Sequence, residues 1–227
     1  MICPSKRPRN KLAAVLVLLY EQAGELRVLL TTRSKALRTH AGQTALPGGK
    51  ADDGDVSFVD TAFREAHEEV SLPLCSPDIY TLTFLEPFIS LYRIVVTPVI
   101  AVLTRPVLLE ELKPAEDEVA CIFTHPLRAI LDPGLARAER LVAIGEDWPY
   151  ETELYSTTDS IVPILNDTVY RMHRFQSSAS PIKGLTADIL IKVAEVAYGE
   201  TTVYGRYAPG QLEGFAAMSR VIDELQA

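Results

Sequence analysis

A short acidic segment, Arg64–Glu69 with the sequence REAHEE, places three glutamates where they could do chemistry. Residues three and four positions apart lie on one face of a helix, so a helix here would set Glu65, Glu68 and Glu69 side by side. Like charges at this spacing destabilise a bare helix, and a hard divalent cation with oxygen ligands would compensate for them. The same pattern is also typical of a solvated helix face, so the segment needs supporting context.

That context begins with the turn just before the segment, where the sequence reads LPGG and ends in Gly48 and Gly49. Glycines let the backbone approach a ligand or a metal with no side chain in the way. Arg64 directly precedes Glu65, and an arginine there can hold a carboxylate by a bidentate pair and so orient a metal ligand. The turn and the acidic segment together favour a metal site.

Four basic residues lie close together upstream of the turn in an otherwise acidic chain: Arg33, Lys35, Arg38 and His40. Phosphate oxygens bind arginine and Mg²⁺ together, and both stabilise the charge that develops on a leaving phosphate. A cationic loop followed by an acidic helix is therefore suited to a pyrophosphate substrate. The alternative is a loop whose charges serve solubility only.

Composition bounds the function classes further. The chain has 227 residues, 48% of them hydrophobic and 23% charged, as in a globular protein with one domain and a possible appended segment. A net charge of −8 without a long basic run argues against nucleic-acid binding and predicts a small-molecule substrate whose anionic groups need local cations. Cys3, Cys75 and Cys121 form no disulfide framework, which predicts a reducing, intracellular compartment.

The first eleven residues form a basic tail before the apolar run Leu12–Tyr20. That run is too short to span a bilayer and is followed at once by Glu21, so we interpret it as a buried strand and expect no membrane association. An organelle-targeting role for the tail stays open, and the sequence does not choose between peroxisome, mitochondrion and cytosol.

The pattern of strands and helices predicts an α+β protein with a mixed sheet rather than strict βαβ alternation. Pro98 interrupts an apolar strand and predicts an edge or a bulge there. We expect a main domain over residues 12–198 and an extension over residues 199–227 that carries an amphipathic helix, which packs on the body or on a second copy in a homodimer. The expected strands are Leu12–Tyr20, Leu26–Thr31, Thr81–Ile89, Arg93–Leu103, Glu118–Thr124, Leu141–Ile144, Tyr150–Tyr155 and Val169–Phe175, and the expected helices are Ser57–Val70, Pro126–Leu131, Thr186–Tyr198 and Gln211–Leu225.

The segment from Gly49 to Leu72 resembles the Nudix box. That pattern is glycine, five residues, glutamate, seven residues and then Arg-Glu-apolar-X-Glu-Glu-X-Gly-apolar. Three positions depart from it, because Asp55 stands for the glutamate, the spacer before Arg64 is one residue longer and Ser71 stands for the last glycine.

The segment from Leu29 to Gly49 is similar to the signature of coenzyme A diphosphatases within the Nudix group, LLTxR[SA], three residues, Arg, three residues, Gly, three residues, FPGG. Leu46 in place of phenylalanine is the one departure. The longer spacer before the acidic helix is also similar to this subgroup. So are three later stretches: Asp117-Glu118-Val119, Pro126-Leu127 and Gly184-Leu185-Thr186-Ala187, the last preceded by Lys183 where the family usually has tryptophan.

The resemblance implies a Nudix α/β/α sandwich with a mixed sheet and a C-terminal helical extension. It implies hydrolysis of coenzyme A or its thioesters to (acyl-)4′-phosphopantetheine and 3′,5′-ADP. Glu65 and Glu69 would bind Mg²⁺ or Mn²⁺, helped by Glu68 and the Gly49 carbonyl. Further implied roles are orientation of the carboxylates by Arg64, substrate binding by Arg33, Arg38 and the Gly48–Gly49 turn, and general-base catalysis by Glu118 or by a carboxylate of the box.

Three other functions stay open at this level. A Nudix pyrophosphatase for another nucleoside diphosphate derivative, such as ADP-ribose, a dinucleoside polyphosphate or an oxidised nucleotide, would share the acidic helix. A Nudix fold without catalysis would be a binding module, although retention of the box glutamates argues against it. A structural protein with a merely solvated acidic helix would have no Mg²⁺ affinity.

Overall fold

The computed structural model describes residues 11–146, 148–163 and 167–224. Within them the chain forms two β-sheets and three α-helices. The strands are β1 Leu12–Gln22, β2 Glu25–Arg33, β3 Thr44–Ala45, β4 Gly48–Lys50, β5 Ile79–Phe84, β6 Phe88–Ile89, β7 Val95–Leu103, β8 Val119–Pro126, β9 Tyr155–Val162, β10 Thr168–Phe175 and β11 Ile182–Lys183, and the helices are α1 Phe58–Val70, α2 Gly184–Tyr198 and α3 Gly214–Glu224.

The larger sheet is mixed. Its main path runs β3-β2-β1-β7-β5, with β4 paired to β1, β6 to β7 and β8 to β2. The β1–β7 pair is parallel, whereas the other pairs are antiparallel. Strand β1 lies between β2 and β7 and is almost wholly buried, which explains its continuous apolar sequence.

Both faces of this sheet are covered. Alternate side chains of β1 point to opposite faces, and on one face Ala14 and Leu16 join a buried cluster with Ala62 and Ala66 of α1. On the other face Val17 belongs to a second cluster that includes buried side chains of α2. The layers are therefore helix, sheet and helix, which confirms the predicted α+β class and the mixed-sheet sandwich.

The smaller sheet is antiparallel, in the order β11-β10-β9, and α2 packs against β10. Within the described residues, the segment after Gly199 contacts both sheets. The Tyr204 hydroxyl donates to the Ile130 carbonyl at 2.6 Å, and Phe215 and Met218 of α3 pack against Ile89 of β6. The division of the chain at residue 199 into a domain and an extension stays a prediction.

The acidic helix begins as expected. Ser57 is the N-cap of α1, and its hydroxyl accepts the Asp60 N–H at 3.2 Å. The helix ends at Val70, and Ser71 follows with φ 58° and ψ 29°, in the left-handed region where helix ends commonly place glycine. The helix therefore ends in the left-handed conformation that the glycine of the Nudix box would adopt, although the residue at this position is a serine.

Two expected strands did not form. Leu141–Ile144 is irregular, although the Val142 N–H donates to the Ser177 carbonyl, and β9 begins only at Tyr155. Pro98 lies in β7 between two partner strands, so the edge position was wrong, but the pairing of β7 with β5 and β6 is irregular beside it, as the predicted bulge requires. The Pro98 carbonyl accepts the Leu85 N–H at 3.0 Å. This contact falls between β5 and β6, where β7 has no regular ladder partner that would need an N–H group from residue 98.

The helix expected at Gln211–Leu225 begins at Gly214, and Leu225 lies outside the described residues, as do residues 1–10 of the basic tail. Among the residues that the model describes, none of the helices has the length and hydrophobicity needed to cross a bilayer.

Candidate metal and phosphate site

The Gly48–Gly49 turn brings the backbone of β4 against α1. Strand β4 pairs with β1, and Gly48 has φ +150°, which side-chain-bearing residues rarely adopt. A Cβ on Gly48 would lie 2.6 Å from the Val15 Cα, and a Cβ on Gly49 would overlap the Glu65 carboxylate. Glycine is therefore required at Gly48, whereas a side chain at Gly49 would displace the Glu65 carboxylate from its place against the turn.

Glu69 is the most buried acid of the helix, with 3% of its surface exposed. Its carboxylate accepts the Gly48 N–H at 3.1 Å and lies 3.8 Å from the Arg33 guanidinium. The pKa of Glu69 is raised to about 7, mainly by burial and in part by the charges of Glu65 and Glu118, against the opposing effects of the Gly48 hydrogen bond and the Arg33 charge. The ionised carboxylate is thus short of compensating positive charge.

Glu65 is half-buried beside it, and burial raises its pKa as well, although Arg64 opposes the shift. Glu68 is more open, with 54% of its side chain exposed. We call Glu65, Glu68 and Glu69 the carboxylate cluster. The predicted common face of the helix is therefore present, graded from the deeply buried Glu69 to the solvent-facing Glu68.

Arg64 connects this cluster to the preceding loop. Its Nε and Nη2 donate to the two Asp55 oxygens at 2.9 and 3.0 Å, and Nη1 donates to both Glu65 and Glu68 at 3.0 Å. Nη2 also donates to the Lys50 carbonyl at 3.0 Å. The guanidinium hydrogen bond holds the pKa of Asp55 well below its usual range. Arg64 thus fixes both loop and carboxylates, as a positioning residue would.

The sequence did not predict that Asp55 is the main partner of the Arg64 guanidinium. We expected the arginine fork to hold a glutamate of the cluster, whereas its two-point partner is Asp55. Asp55 also accepts the Thr61 hydroxyl at 2.8 Å. The available signal was its position in the Nudix-box pattern, where an acid is shared and only the side-chain length differs.

Two sequence-distant residues join the cluster through strand pairing. Arg33 ends β2 opposite Val119 of β8, at a register shift that follows Thr32. Glu118, just before β8, is exposed, and its charge raises the pKa values of Glu65 and Glu69. The bulged pairing of β2 with β8 therefore puts one cation and one further acid beside the carboxylates.

Arg38 stands apart from this group. It is exposed and, within the described residues, forms no hydrogen bond or ion pair. His40, on the same loop, hydrogen-bonds the Gln43 side chain through Nδ1 at 3.1 Å. The structure brings five of the sequence-predicted residues, Arg64, Glu65, Glu68, Glu69 and Glu118, together with Arg33 and the glycine turn. Among the described residues it shows no contact between Arg38 and the carboxylates.

The donor set suits a hard divalent cation. Carboxylate and carbonyl oxygens are the ligands of Mg²⁺ and Mn²⁺, and Glu65 lies directly against Gly49. In the described part of the chain, no three acidic, histidine or cysteine side chains already converge as a complete metal cage. That is compatible with Mg²⁺, which keeps several waters and takes only one or two carboxylates from a protein.

The layers, the glycine turn and the carboxylate helix define an α/β/α domain with a candidate site for a cation. The NUDIX domain model matches residues 10–143, more than half of the chain. Nudix hydrolase 15, mitochondrial, of Arabidopsis thaliana is 36% identical over 204 residues, which are 89% of this chain and 64% of that protein. The chain therefore belongs to the Nudix family.

Two further comparisons agree in family. Nudix hydrolase 22, chloroplastic, of Arabidopsis thaliana is 39% identical over 194 residues, 85% of this chain and 57% of that protein. The uncharacterized Nudix hydrolase NudL of Pectobacterium atrosepticum is 43% identical over 126 residues, 55% of this chain and 62% of that protein. The chain spans about 60% of the length of these relatives.

Among solved structures, a Caenorhabditis elegans Ap4A hydrolase matches with a TM-score of 0.42 and 22% identity, over 51% of this chain and 80% of that one.

Proposed function

We propose that the protein hydrolyses the pyrophosphate of coenzyme A or its thioesters, in the presence of Mg²⁺ or Mn²⁺, to (acyl-)4′-phosphopantetheine and 3′,5′-ADP. The observation that carries the proposal is the position of Arg33. Its guanidinium lies 3.8 Å from Glu69, and its Nε is buried with no hydrogen-bond partner among the described residues. A buried donor without a partner beside a carboxylate cluster suits a phosphate oxygen that arrives with its cation.

In this proposal each residue of the site has a separate role. Glu65 and Glu69 would hold the cation, with Glu68 and the Gly49 carbonyl as further oxygen donors. When bound, a divalent cation supplies neutralisation of phosphate charge and an acidified water. Arg64 keeps the carboxylates oriented through Asp55, and Arg33 binds a phosphate oxygen at the inner end of the cluster.

Two residues have proposed roles at the open side of the site. Glu118 is exposed and electrostatically close to Glu65 and Glu69, so it is the proposed base that takes a proton from the attacking water. A carboxylate of the cluster is the other candidate for this proton. Arg38 is the proposed partner of the 3′-phosphate that distinguishes coenzyme A from other diphosphates.

A substrate panel tests the proposal. The purified protein is incubated with Mg²⁺ or Mn²⁺ and, separately, coenzyme A, an acyl thioester, ADP-ribose, a dinucleoside polyphosphate and an oxidised nucleoside triphosphate, and products are separated by chromatography. We expect the coenzyme A compounds to give the highest kcat/KM. Faster cleavage of another diphosphate would assign a different Nudix activity, and no turnover of any would favour a binding module.

Arg38→Ala tests the 3′-phosphate role within that panel. We expect about a tenfold loss of kcat/KM for coenzyme A, since one charge-assisted contact contributes about 1.4 kcal/mol or more, and little loss for dephospho-coenzyme A. Arg105→Ala, which removes an exposed arginine paired with Asp78, is the matched control. Equal losses for both substrates would contradict the assignment.

A further inference from the structure

A cavity of about 590 Å³ lies between the two sheets, α2 and α3. Its size falls within the range of roughly 300–1,000 Å³ that small-molecule sites occupy. The walls are mainly apolar and come from distant parts of the chain, including Phe88, Ile89, Met172, Leu185, Phe215 and Met218. This cavity is separate from the carboxylate cluster, and the sequence did not predict it.

One end of the cavity reaches the candidate catalytic site. Arg33, which lies 3.8 Å from Glu69, is also part of the cavity wall. A diphosphate held by Arg33 and the cation would therefore have one of its two substituents directed into the cavity. Arg33 is thus shared between the cavity wall and the site that would hold the scissile bond.

The side chains of the cavity wall indicate which half of a coenzyme A substrate, the nucleotide or the pantetheine arm, fits the cavity. Two of the three methionines in the chain, Met172 and Met218, line the cavity. Methionine side chains are flexible and adapt to apolar groups of different shape. Three ionisable wall residues already have partners, since Tyr170 donates to Asp188 at 2.7 Å and Arg206 pairs with Glu195; Lys183 and Lys192 also line the cavity. The apolar part of the wall, with its two methionines, favours a flexible aliphatic group.

The closing wall is held firmly in place by residues beyond the segment that the NUDIX model matches. The Gln211 side chain accepts the backbone N–H groups of Arg171 and Ala208 at 2.8 and 3.1 Å. The Arg171 guanidinium donates to the Gly205 and Tyr207 carbonyls, both at 3.1 Å. These bonds fix the segment that leads into α3, so that Phe215 and Met218 can pack on Ile89.

We propose that this cavity binds the acyl-pantetheine arm of the substrate and that α3, through Phe215 and Met218, limits the length of acyl chain that fits. The proposal rests on the proposed function for its choice of ligand. It assigns a role in substrate selection to the C-terminal segment, outside the part of the chain that matches the family model. It makes acyl thioesters, rather than free coenzyme A, the better substrates.

Binding of S-octanoyl-pantetheine, which lacks the nucleotide and the pyrophosphate, tests the cavity without any turnover. We expect calorimetry to detect binding to the full chain, with affinity that rises roughly threefold to fourfold per methylene from butyryl to octanoyl, as burial of apolar carbon predicts. Met218→Trp fills the cavity and should weaken octanoyl binding at least tenfold. Ala216→Trp introduces the same side chain on the exposed side of α3 and should leave octanoyl binding unchanged.

Leu185→Phe, on the opposite wall, is the second variant if Met218→Trp does not fold, as judged by its circular dichroism and melting curve. Absence of octanoyl-pantetheine binding, or equal binding by the filled and control variants, would overturn the proposal. Weaker binding of 3′,5′-ADP by the filled variants, with acyl-pantetheine unaffected, would place the nucleotide in the cavity and also overturn it. Failure of the proposed function would look different, because the substrate panel would then show no cleavage of coenzyme A compounds whatever this cavity binds.

Discussion

The carboxylate cluster and the apolar cavity meet at Arg33 but are built in opposite ways. The cluster and its glycine turn come from one continuous stretch, Gly48–Glu69, in which a turn and a helix set the spacing. The cavity takes its walls from strands and helices between Arg33 and Met218. The first region is defined by chemistry at short sequence separation, and the second by how distant elements pack. Mutations should therefore affect the two regions by different mechanisms.

Glu69→Gln should give the largest effect, because it removes one charge from the buried end of the cluster. We expect kcat to fall by about 10³-fold or more, since metal-assisted charge stabilisation is worth several kcal/mol and each 1.4 kcal/mol is a factor of ten. The free energy of unfolding should not fall, because burial already disfavours the charged form. Steady-state kinetics and urea denaturation measure the two quantities.

Glu68→Gln is the matched control for that experiment, since it makes the same change at an exposed position of the same helix. It should cost less activity than Glu69→Gln. Turnover close to wild type in the Glu69 variant would remove the proposed metal role from that residue.

Asp188 in the cavity wall provides a test based on pH. Burial raises its pKa from 3.8 to about 7, against the opposing effects of the Tyr170 hydrogen bond and the Arg206 charge. In the unfolded chain Asp188 loses its proton near pH 4, whereas in the folded protein it keeps the proton up to about pH 7. Between these two pH values the unfolded state therefore binds fewer protons than the folded state. The Asp188 contribution to stability is therefore full below about pH 4 and is lost as the pH rises to about 7.

Asp188→Asn should remove that dependence while keeping an acceptor for Tyr170. Relative to this variant, the free energy of unfolding of the wild type should fall by up to roughly 1.4 kcal/mol per pH unit across the window. Urea denaturation at several pH values measures the difference. A difference that does not change with pH would show that Asp188 is not held protonated in the folded state.

Arg64→Lys separates charge from geometry in the first region. Lysine keeps the positive charge but cannot form the fork on Asp55 and also reach Glu65 and Glu68. Loss of groups that orient metal ligands typically costs 10–100-fold, so we expect about that loss in kcat/KM. Manganese titration, followed by electron paramagnetic resonance, should show weaker binding. Unchanged activity and affinity would mean that Arg64 acts through its charge alone.

Ser71→Gly should have the smallest effect. Ser71 follows α1 in the left-handed region, which costs a residue with a Cβ roughly 1 kcal/mol. Glycine removes that cost but loses the exposed hydrogen bond from the Ser71 hydroxyl to the Lys113 carbonyl. We expect a gain of about 0.5–1 kcal/mol in the free energy of unfolding with unchanged kinetics. A destabilised variant would show that the hydroxyl contact outweighs the backbone strain.

Particular residues show where sequence reasoning stopped. The helix and the shared face of the glutamates follow from local spacing and were predicted correctly. For Pro98 the sequence left an edge or a bulge open, because the choice depends on the interval between β5 and β6, which exists only once both strands pair with β7. The two-point contact of Arg64 with Asp55 was missed because a loop conformation decides which acid the guanidinium reaches.

By itself the sequence determined the elements whose pattern is local: the acidic helix, the glycine turn before it and the apolar strand segments. Side-chain type and a fixed helical repeat are enough for these, because the interacting residues are neighbours in the chain. The tertiary structure alone decided that Arg33 and Glu118 flank the cluster and that Met172 and Met218 share one cavity wall. Those proximities depend on strand register and helix packing, which residue spacing does not encode.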